Sequence, residues 1–330
     1  MSDTATVFDP VRNLWCDKPG IPLLGTNPLV SIIVPSFNQG RYIRDTIESI
    51  ISQDYRNLDV IVVDGASKDE TLEVLRSYAH EPRLRYISEP DDGVADAVNK
   101  GLVMCRGEVC AIQSSDDCYL PHAITTAVAE LQMPDCPGLV YGDTIRTDAA
   151  GAELHRLHGR PHTLAGWLSK QSYIPQPAAF FRMDVARRLD GWNARYFNAD
   201  TEYWLRMLWL APVRKFDAFI SLRRMHGEQR DTQGEKIIDS HRRLIDESEA
   251  IRSLSWSLRR AASSGKLMHR LRYGRHSRAM ARLILWRAVL VYPELLRTLE
   301  ARHRLLPFGA ETLALASACK RAITSNGRAE

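Results

Sequence analysis

The chain has 330 residues, of which 45% are hydrophobic and 25% charged, values typical of a soluble globular protein with one large domain and an appendage, or with two domains. No apolar stretch approaches about 18 residues, and the N-terminus lacks a basic start followed by an apolar core, so we expect neither a transmembrane helix nor a signal peptide. The six cysteines form no CxxC pair and have no metal-ligand spacing, which indicates reduced thiols in a cytosolic protein.

The net charge of +4 conceals an asymmetry along the chain. Residues 251–330 contain 16 Lys and Arg residues against 4 Asp and Glu, whereas residues 1–250 contain 28 against 36. A basic region of this kind predicts contact with an anionic partner, namely phospholipid headgroups, a lipid-linked pyrophosphate or nucleic acid. A solvated, Arg-rich helical face would explain the same count.

Strands and helices alternate along the first half of the chain. Residues 1–27 lack periodicity and are interpreted as an N-terminal arm. The β-branched run 29–34 predicts a strand that ends at Pro35, and apolar residues at helical spacing from Tyr42 predict the helix that follows it. The pattern continues through strand 58–63, helix 70–78, strand 84–87, helix 93–104, strand 108–112, helix 121–131 and strand 139–144. This alternation predicts a doubly wound, mostly parallel sheet.

Neither of the common nucleotide-binding loops is present. The first strand is followed by PSFNQG rather than GxGxxG, and GxxxxGK[ST] occurs nowhere, which argues against nicotinamide chemistry and P-loop phosphoryl transfer. Instead, Asp64 follows the second strand, and Asp116 and Asp117 follow the fourth. The carboxyl ends of parallel strands form the ligand crevice, and carboxylates there suit Mg²⁺ or Mn²⁺. A surface turn that caps the helix near Pro121 is the alternative.

The C-terminal region is predicted to be helical from Ile237 onward. One helical face carries Arg275, Arg278 and Arg282, and another carries Leu283, Trp286 and Leu290. Such an amphipathic helix is able to lie on a membrane surface. Packing on the rest of the chain, or formation of a dimer, explains the same pattern.

Five motifs occur in a specific order: IIVPSFNQG, VIVVDGASKDET, DDGVADAVNKG, SSDD and ADTEYWLRM. With these motifs, residues 28–232 resemble the family 2 inverting glycosyltransferases of GT-A fold, and in particular the bacterial enzymes that build cell-surface polysaccharides and exopolysaccharides. The resemblance implies a Rossmann-like mixed sheet that handles nucleotide-diphospho-sugars. We therefore predict a catalytic domain over 28–235, preceded by an N-terminal arm over 1–27 and followed, outside the resemblance, by a basic helical C-terminal region over 236–330.

The resemblance also implies which residues bind the donor. Those expected against the nucleotide-sugar are Pro35, Ser36, Asp64, Asp92, Asp96, Asn99, Ser114 and Asp117. Asp64 would accept from a ring N–H of the base, which favours a UDP-sugar; a turn-forming Asp before glycine is the alternative. Val98 stands where many relatives carry Arg. Ser114 replaces the first Asp of the family's DXD motif, so its ribose contact would be a hydroxyl.

The remaining implied residues concern the metal and the acceptor. Asp116 and His226 would bind Mn²⁺ or Mg²⁺, which neutralises charge on the leaving diphosphate. Asp200 would be the general base, although an N-cap is the ordinary role of an Asp at a helix start. Gln176 and Glu202 would line the acceptor side.

We therefore predict an inverting glycosyltransferase that uses a saccharide or polyprenyl-linked saccharide acceptor in cell-surface polysaccharide biosynthesis. It would act in the cytoplasm, with the inner face of the cytoplasmic membrane as its site if the basic helices bind lipid. A non-catalytic nucleotide-sugar-binding or membrane-associated scaffold is the alternative. A nucleotidyl-transfer enzyme is disfavoured, because such an enzyme would carry a Gly-rich basic loop after the first strand, and this sequence has none there. Nucleic acid is not an expected partner, because no basic groove interleaved with aromatic residues and no helix-turn-helix pattern occurs.

Overall fold

The structure is a computed structural model, and it describes residues 8–9, 14–15, 23–227 and 229–297. Most of the predicted N-terminal arm and residues 298–330 of the predicted basic region lie outside these residues, as do Cys16 and Cys319. The described residues divide into two units, one of residues 23–162 and 174–232 and one of residues 163–173 and 233–297. No helix in this part of the chain is both long enough and apolar enough to cross a membrane.

A nine-stranded mixed sheet forms the centre of the first unit, as far as the structure describes it. An antiparallel pair, β1 (Phe8–Asp9) and β2 (Leu14–Trp15), is separate from it. The strands of the sheet, in chain order, are β3 (Val30–Ser36), β4 (Leu58–Asp64), β5 (Leu84–Ser88), β6 (Val109–Ile112), β7 (Cys118–Tyr119), β8 (Leu139–Thr147), β9 (Glu153–Leu157), β10 (Ala179–Arg182) and β11 (Val213–Arg224). Their spatial order is β5-β4-β3-β6-β10-β8-β11-β7, with β9 paired to β8.

Half of the sheet is parallel, as the alternation predicted. Strands β5, β4, β3 and β6 run in parallel and are connected by helices α1 (Gly40–Ile51), α2 (Thr71–Arg76) and α3 (Val94–Met104). Strand β3 continues through Pro35 to Ser36, two residues beyond its predicted end. Proline is tolerated there because the pairing with β6 ends at Ile33, so no partner strand on that side needs its missing N–H.

The other half departs from the parallel pattern. Strand β10 is antiparallel to both β6 and β8, while β11 is parallel to β8 and antiparallel to β7. Helices α4 (Ala123–Leu131), α6 (Met183–Ala186) and α7 (Ala199–Leu210) belong to this half. The sheet is therefore mixed, as the family resemblance implied, and is not the mostly parallel sheet that the alternation alone predicted.

Two hydrophobic clusters cover the two faces of the sheet. Alternate residues of β3 point to opposite faces: Ile32 packs in the cluster that contains Ile43 and Ile47 of α1, and Ile33 packs in the cluster that contains Val98 of α3. The second cluster also includes Tyr203 and Trp204 of α7, Val185 of α6, Phe181 of β10 and Cys110 of β6. Because β3, β4 and β6 are buried on both faces of the sheet, the positions of their carboxyl ends are fixed.

The second unit is helical. It contains α5 (Leu164–Leu168), α8 (Gly234–Glu247), α9 (Glu249–Arg252), α10 (Trp256–Tyr273), α11 (Arg278–Val291) and a 3₁₀ turn at Pro293–Arg297. Helix α10 packs against α5, α8 and α11. Its Gly265 allows α5 to approach closely, because a Cβ atom there would overlap the carbonyl oxygen of Leu168. Residues 163–173 thus belong to this unit, a grouping that the sequence pattern did not indicate, and the functional domain boundaries stay predictions.

Candidate functional site

The two residues predicted to bind a metal meet at the acidic turn after β6, where Asp116 belongs to the turn and His226 follows the end of β11. The Nε2 atom of His226 lies 2.9 Å from the Oδ2 atom of Asp116, and the side-chain amide of Gln229 donates to the same oxygen over 3.1 Å. The imidazole of His226 also packs on the ring of Tyr42, with centroids 4.9 Å apart. Both Asp116 and His226 are mostly buried, so their separation is set by the fold.

Carboxylate oxygen and imidazole nitrogen are suitable ligands for Mn²⁺, and a carboxylate suits Mg²⁺. Within the described ranges, no group of three or more His, Cys, Asp or Glu side chains has an arrangement that could hold a metal ion. Asp116 and His226 therefore fit a metal that completes its coordination with water and donor phosphate oxygens, as Mg²⁺ commonly does in phosphate-binding sites.

Asp117 points into the protein. Its Oδ1 atom accepts a hydrogen bond from the backbone N–H of Arg224 over 2.9 Å, and its carbonyl oxygen accepts from the Thr46 hydroxyl over 2.8 Å. Burial, together with the neighbouring charge of Asp116, raises the pKa of the Asp117 carboxyl well above its usual range. Asp117 thus ties the acidic turn to β11 and α1, and its contact with a nucleotide-sugar stays a prediction.

Arg224 connects three segments around this turn. Its guanidinium donates to the carbonyl oxygen of Asp116 over 3.1 Å, to that of Ala149 over 3.0 Å and to the carboxylate of Asp45 over 2.8 Å. The same group lies 4.9 Å from the ring centroid of Tyr42, the residue on which His226 packs. The only sequence signal for this role was the position of Arg224 two residues before His226, and sequence reasoning missed it.

Asp64 and Ser36 end neighbouring strands of the parallel half. The buried Asp64 carboxylate accepts from the Ser67 N–H over 3.0 Å, from the Ser67 hydroxyl, and from the Ser88 hydroxyl over 2.7 Å. These bonds correspond to the turn-forming alternative, and the contact of Asp64 with a base stays a prediction. The Ser36 hydroxyl, in contrast, is buried and has no hydrogen-bond partner in the part of the chain that the structure describes. A buried polar atom without a partner is unusual in a folded protein.

The predicted residues of α3 have different surroundings. Asp92 is exposed just before the helix, and Asp96 forms a 3.2 Å ion pair with Lys100. Both ends of the Asn99 amide bind the backbone of Trp192: Oδ1 accepts from its N–H over 2.7 Å and Nδ2 donates to its carbonyl over 2.9 Å. Asn99 therefore holds the segment that leads into α7, a structural role beside its predicted one.

Ser114 and Gln176 meet beside the acidic turn. The Ser114 hydroxyl donates to Gln176 Oε1 over 3.2 Å, and the Gln176 amide donates to the carbonyl oxygen of Ile112, the last residue of β6. The Pro-flanked segment that carries Gln176 forms a 3₁₀ turn between residues 176 and 178, directly before β10. The structure thus brings a residue predicted for the acceptor side next to one predicted for the donor side.

Helix α7 carries Asp200 in its first turn. The N-cap position belongs to Asn198, so the ordinary capping role does not account for Asp200. Glu202, one of the predicted acceptor-side residues, is buried and its two carboxylate oxygens pair with Arg206 at 2.6 and 2.8 Å. This ion pair joins residues four apart on α7, which are neighbours on a helix.

The segment after His226 connects the metal pair to the start of α7. Gln229 binds Asp116, and the next residue, Arg230, donates to the carbonyl oxygen of Phe197 over 2.7 Å and lies 4.1 Å from that ring's centroid. Phe197 is three residues before Asp200. The predicted base and the predicted metal pair are therefore joined through one short polar segment. Gln229 and Arg230 have no sequence signal apart from their proximity to His226.

Comparison with known proteins gives a family match that includes the strands and the turn of this site. Residues 31–189, which include β3, β4, β6 and the acidic turn, match the family model described as glycosyl transferase family 2. Nearly half of the chain thus matches the family that the sequence motifs indicated. The chondroitin synthase of Escherichia coli is 29% identical to the chain over 227 residues, which cover 67% of this chain and 32% of that protein. The chain thus spans about a third of the length of this curated relative.

Two solved structures show the same fold as the glycosyltransferase domain with its flanking segments. S. aureus TarS 1-349 in complex with UDP-GlcNAc gives a TM-score of 0.59 at 17% identity, over 83% of this chain and 87% of that one. The mannosyltransferase PcManGT from Pyrobaculum calidifontis, in complex with GDP-Man and Mn²⁺, gives a TM-score of 0.56 at 19% identity, over 94% and 92%. The mixed α/β sheet followed by helices is therefore the GT-A fold predicted from the sequence motifs.

Proposed function

We propose that this chain transfers a sugar from a nucleotide-diphosphate donor to a saccharide acceptor, with inversion at the anomeric carbon. The observation that carries the proposal is the Asp116–His226 pair, which lies directly after a central strand, where open α/β sheets bind their ligands. The unpartnered hydroxyl of Ser36, at the end of the neighbouring strand, supports a polar ligand in the same crevice. We favour a UDP-sugar because the family resemblance implies that Asp64, at the end of the strand beyond Ser36, accepts from a ring N–H of the base.

Asp116 and His226 would hold the divalent metal. When bound, Mn²⁺ or Mg²⁺ supplies a Lewis acid that neutralises negative charge on the departing diphosphate. Arg224 orients the backbone of Asp116, and Tyr42 supports the imidazole of His226. Ser114 would offer its hydroxyl to the ribose, where relatives use a carboxylate, so fewer negative charges face the donor. The complexes of the two solved relatives with nucleotide-sugars, one of them with Mn²⁺, support this donor class.

Asp200 would act as the general base. The acceptor hydroxyl oxygen forms a bond to the anomeric carbon while the bond from that carbon to the diphosphate oxygen breaks, and the electron pair leaves with the diphosphate. The hydroxyl proton passes to the Asp200 carboxylate. Glu202 is the other carboxylate in the first turn of α7, but both of its oxygens are engaged by Arg206, which supports Asp200 for this step. Gln176 would line the acceptor side.

The proposal for the acceptor and the biological setting is supported by the relatives. The similarity to chondroitin synthase supports a saccharide acceptor. We propose that this chain lengthens a cell-surface polysaccharide, on a free or polyprenyl-linked acceptor, at the inner face of the cytoplasmic membrane. Because the chain spans about a third of that relative, the activity and the acceptor of this protein as a whole are part of the proposal.

A panel of nucleotide-sugars with Mn²⁺, with Mg²⁺ and with a chelator tests the proposal. We expect one donor to be hydrolysed slowly without acceptor, and to give a product of inverted anomeric configuration with a saccharide acceptor, as read by NMR. Asp200→Asn should lose transfer and keep donor binding. Binding of a donor without hydrolysis or transfer to any acceptor would instead favour a nucleotide-sugar-binding scaffold, and retention of configuration would refute the role of Asp200.

A further inference from the structure

Helix α11 is apolar on two opposite faces. One face, made of Ile284, Leu285, Ala288 and Val289, is buried in the second unit, where α11 packs on α10. The opposite face carries Met280, Leu283 and Leu290, which are 43%, 62% and 58% exposed. These residues recur at intervals of three and seven, so they form one stripe along the helix. The leucines predicted to share a face do so, and that face points away from α10.

A helix that is apolar all round is normally buried all round. No residue in the described part of the chain covers the outward stripe of α11. The stripe is longer than the helix itself, because Trp256, 64% exposed at the start of α10, lies beside its C-terminal end. The guanidinium of Arg260 makes this link: it lies 4.4 Å from the Trp256 ring centroid and donates to the carbonyl oxygen of Leu290 over 3.2 Å. We call these four residues, Trp256, Met280, Leu283 and Leu290, the α11 stripe.

Basic residues predominate around the α11 stripe, although Glu249 and Glu294 border it in sequence and Lys266 of α10 pairs with Asp246. Residues 250–293 contain ten Lys and Arg residues and no Asp or Glu. Three of the arginines are exposed on α11 itself: Arg287 lies within the stripe, between its two leucines, Arg282 lies to one side of it, and Arg278 is the first residue of the helix. Exposed leucines flanked by arginines are typical of helices that lie in the interface of an anionic bilayer.

We propose that the α11 stripe docks on an anionic phospholipid surface, with its apolar side chains among the acyl chains and its arginines at the headgroup phosphates. Helix α11 has 14 residues and is therefore about 21 Å long, too short to cross a hydrocarbon core of about 30 Å, so it would lie along the surface. A second copy of the chain is a poor occupant, because a symmetric dimer through this face would bring the exposed arginines of two α11 helices together. The inference is independent of the transfer reaction.

Vesicle sedimentation of the full chain, without donor or acceptor, tests the docking. Wild-type protein should sediment with phosphatidylglycerol vesicles and not with phosphatidylcholine vesicles at about 0.1 M salt, where charges on the surface still act over about 10 Å. The double variant Leu283→Gln/Leu290→Gln should bind at least tenfold more weakly. The matched control Val103→Gln/Leu154→Gln changes two exposed apolar residues of the first unit and should bind as the wild type does. Lipids brominated in their acyl chains should quench Trp256, and Trp256→Phe should reduce the quenching to the part that Trp286 of α11 contributes.

Several outcomes would overturn the inference. Absence of binding to phosphatidylglycerol, or equal binding by the Leu283→Gln/Leu290→Gln variant, would exclude docking through the stripe. Conversion of an oligomer into a monomer by the same variant would assign the stripe to a second copy of the chain. A Leu283→Cys variant that does not react with a maleimide in the native chain would show that residues 298–330 or another part of the chain cover it.

Discussion

The side chains of Asp116 and His226 are 110 positions apart in the sequence, and their Oδ2 and Nε2 atoms are 2.9 Å apart in the structure. Two elements produce this contact: β6 ends immediately before the acidic turn, and β11 runs past that turn and delivers His226 to it. An oxygen and a nitrogen ligand are thereby held together by the fold at the carboxyl end of the parallel strands.

Replacement of His226 should weaken metal use without unfolding the protein. In His226→Asn, we expect the Mn²⁺ concentration for half-maximal donor hydrolysis to rise about 10- to 100-fold, the usual effect of disturbing a metal site. His80→Asn, which changes an exposed histidine distant from His226 in the sequence, is the control and should leave this Mn²⁺ concentration unchanged. An unchanged Mn²⁺ requirement in His226→Asn would remove this residue from the site.

Arg224 should act as a positioning residue for Asp116. Arg224→Lys keeps a positive charge but cannot bind Asp45, Ala149 and the Asp116 backbone together. We expect about a tenfold loss of Mn²⁺ affinity, measured by titration, with a smaller change in the KM for the acceptor. If only the melting temperature changes and Mn²⁺ affinity does not, Arg224 is merely structural.

Substitutions of the two carboxylates at the start of α7 should have different effects on activity and stability. Asp200→Asn should lower kcat by about 10²- to 10⁴-fold while the melting temperature and donor affinity stay near wild type, because a general base acts in the chemical step. Glu202→Gln should instead destabilise the protein by about 1–3 kcal/mol, since it leaves Arg206 without its charged partner. A reversal of these two results would transfer the base role to Glu202.

Acid should destabilise the second unit through two buried histidines. Burial, followed by the charge of Lys170, lowers the pKa of His269 to about 2 and the pKa of His241 well below its ordinary value. The folded state thus keeps both rings neutral, and their rings pack 4.4 Å apart. Because the unfolded chain takes up these protons near pH 6.5, the stability is complete above that pH and declines below it, by about 1.4 kcal/mol per pH unit for each histidine.

Replacement of one of these histidines should flatten that dependence. His269→Phe keeps an aromatic ring against His241 and Tyr273 and removes one titrating group. Urea unfolding of the wild type and this variant between pH 7 and pH 5 measures the two slopes. Equal slopes would show that His269 is not the group whose protonation drives the acid loss.

Much of the fold could be predicted from local pattern, because parallel strands and their helices leave a period in the sequence. The runs that became β3, β4 and β6, and the helix after each, were found this way. Strand β10 was not predicted: its residues follow a Pro-flanked segment, and only pairing with β6 and β8 makes Phe180 and Phe181 a strand. The order of the mixed half depends on such distant pairings, which have no local signal.

The candidate site likewise contains residues that could be predicted from the sequence and residues that could not. Asp116, Asp200 and His226 lie in motifs that resemble those of a known family, so each could be predicted by residue. Arg224 and Gln229 could not, since their importance arises from contacts with Asp116 more than 100 positions earlier in the chain. The engagement of Glu202 by Arg206 was partly predictable, because residues four apart on a helix are neighbours.

The most direct test of the account is equilibrium binding of UDP, GDP and their sugars to the wild type and to Asp116→Asn, with Mn²⁺ and with EDTA. We predict that one nucleotide raises the melting temperature of the wild type with Mn²⁺, that EDTA or Asp116→Asn removes the increase, and that Asp200→Asn retains it. Binding that is identical in wild type and Asp116→Asn, or no binding to any nucleotide, would contradict a donor site at the Asp116–His226 pair.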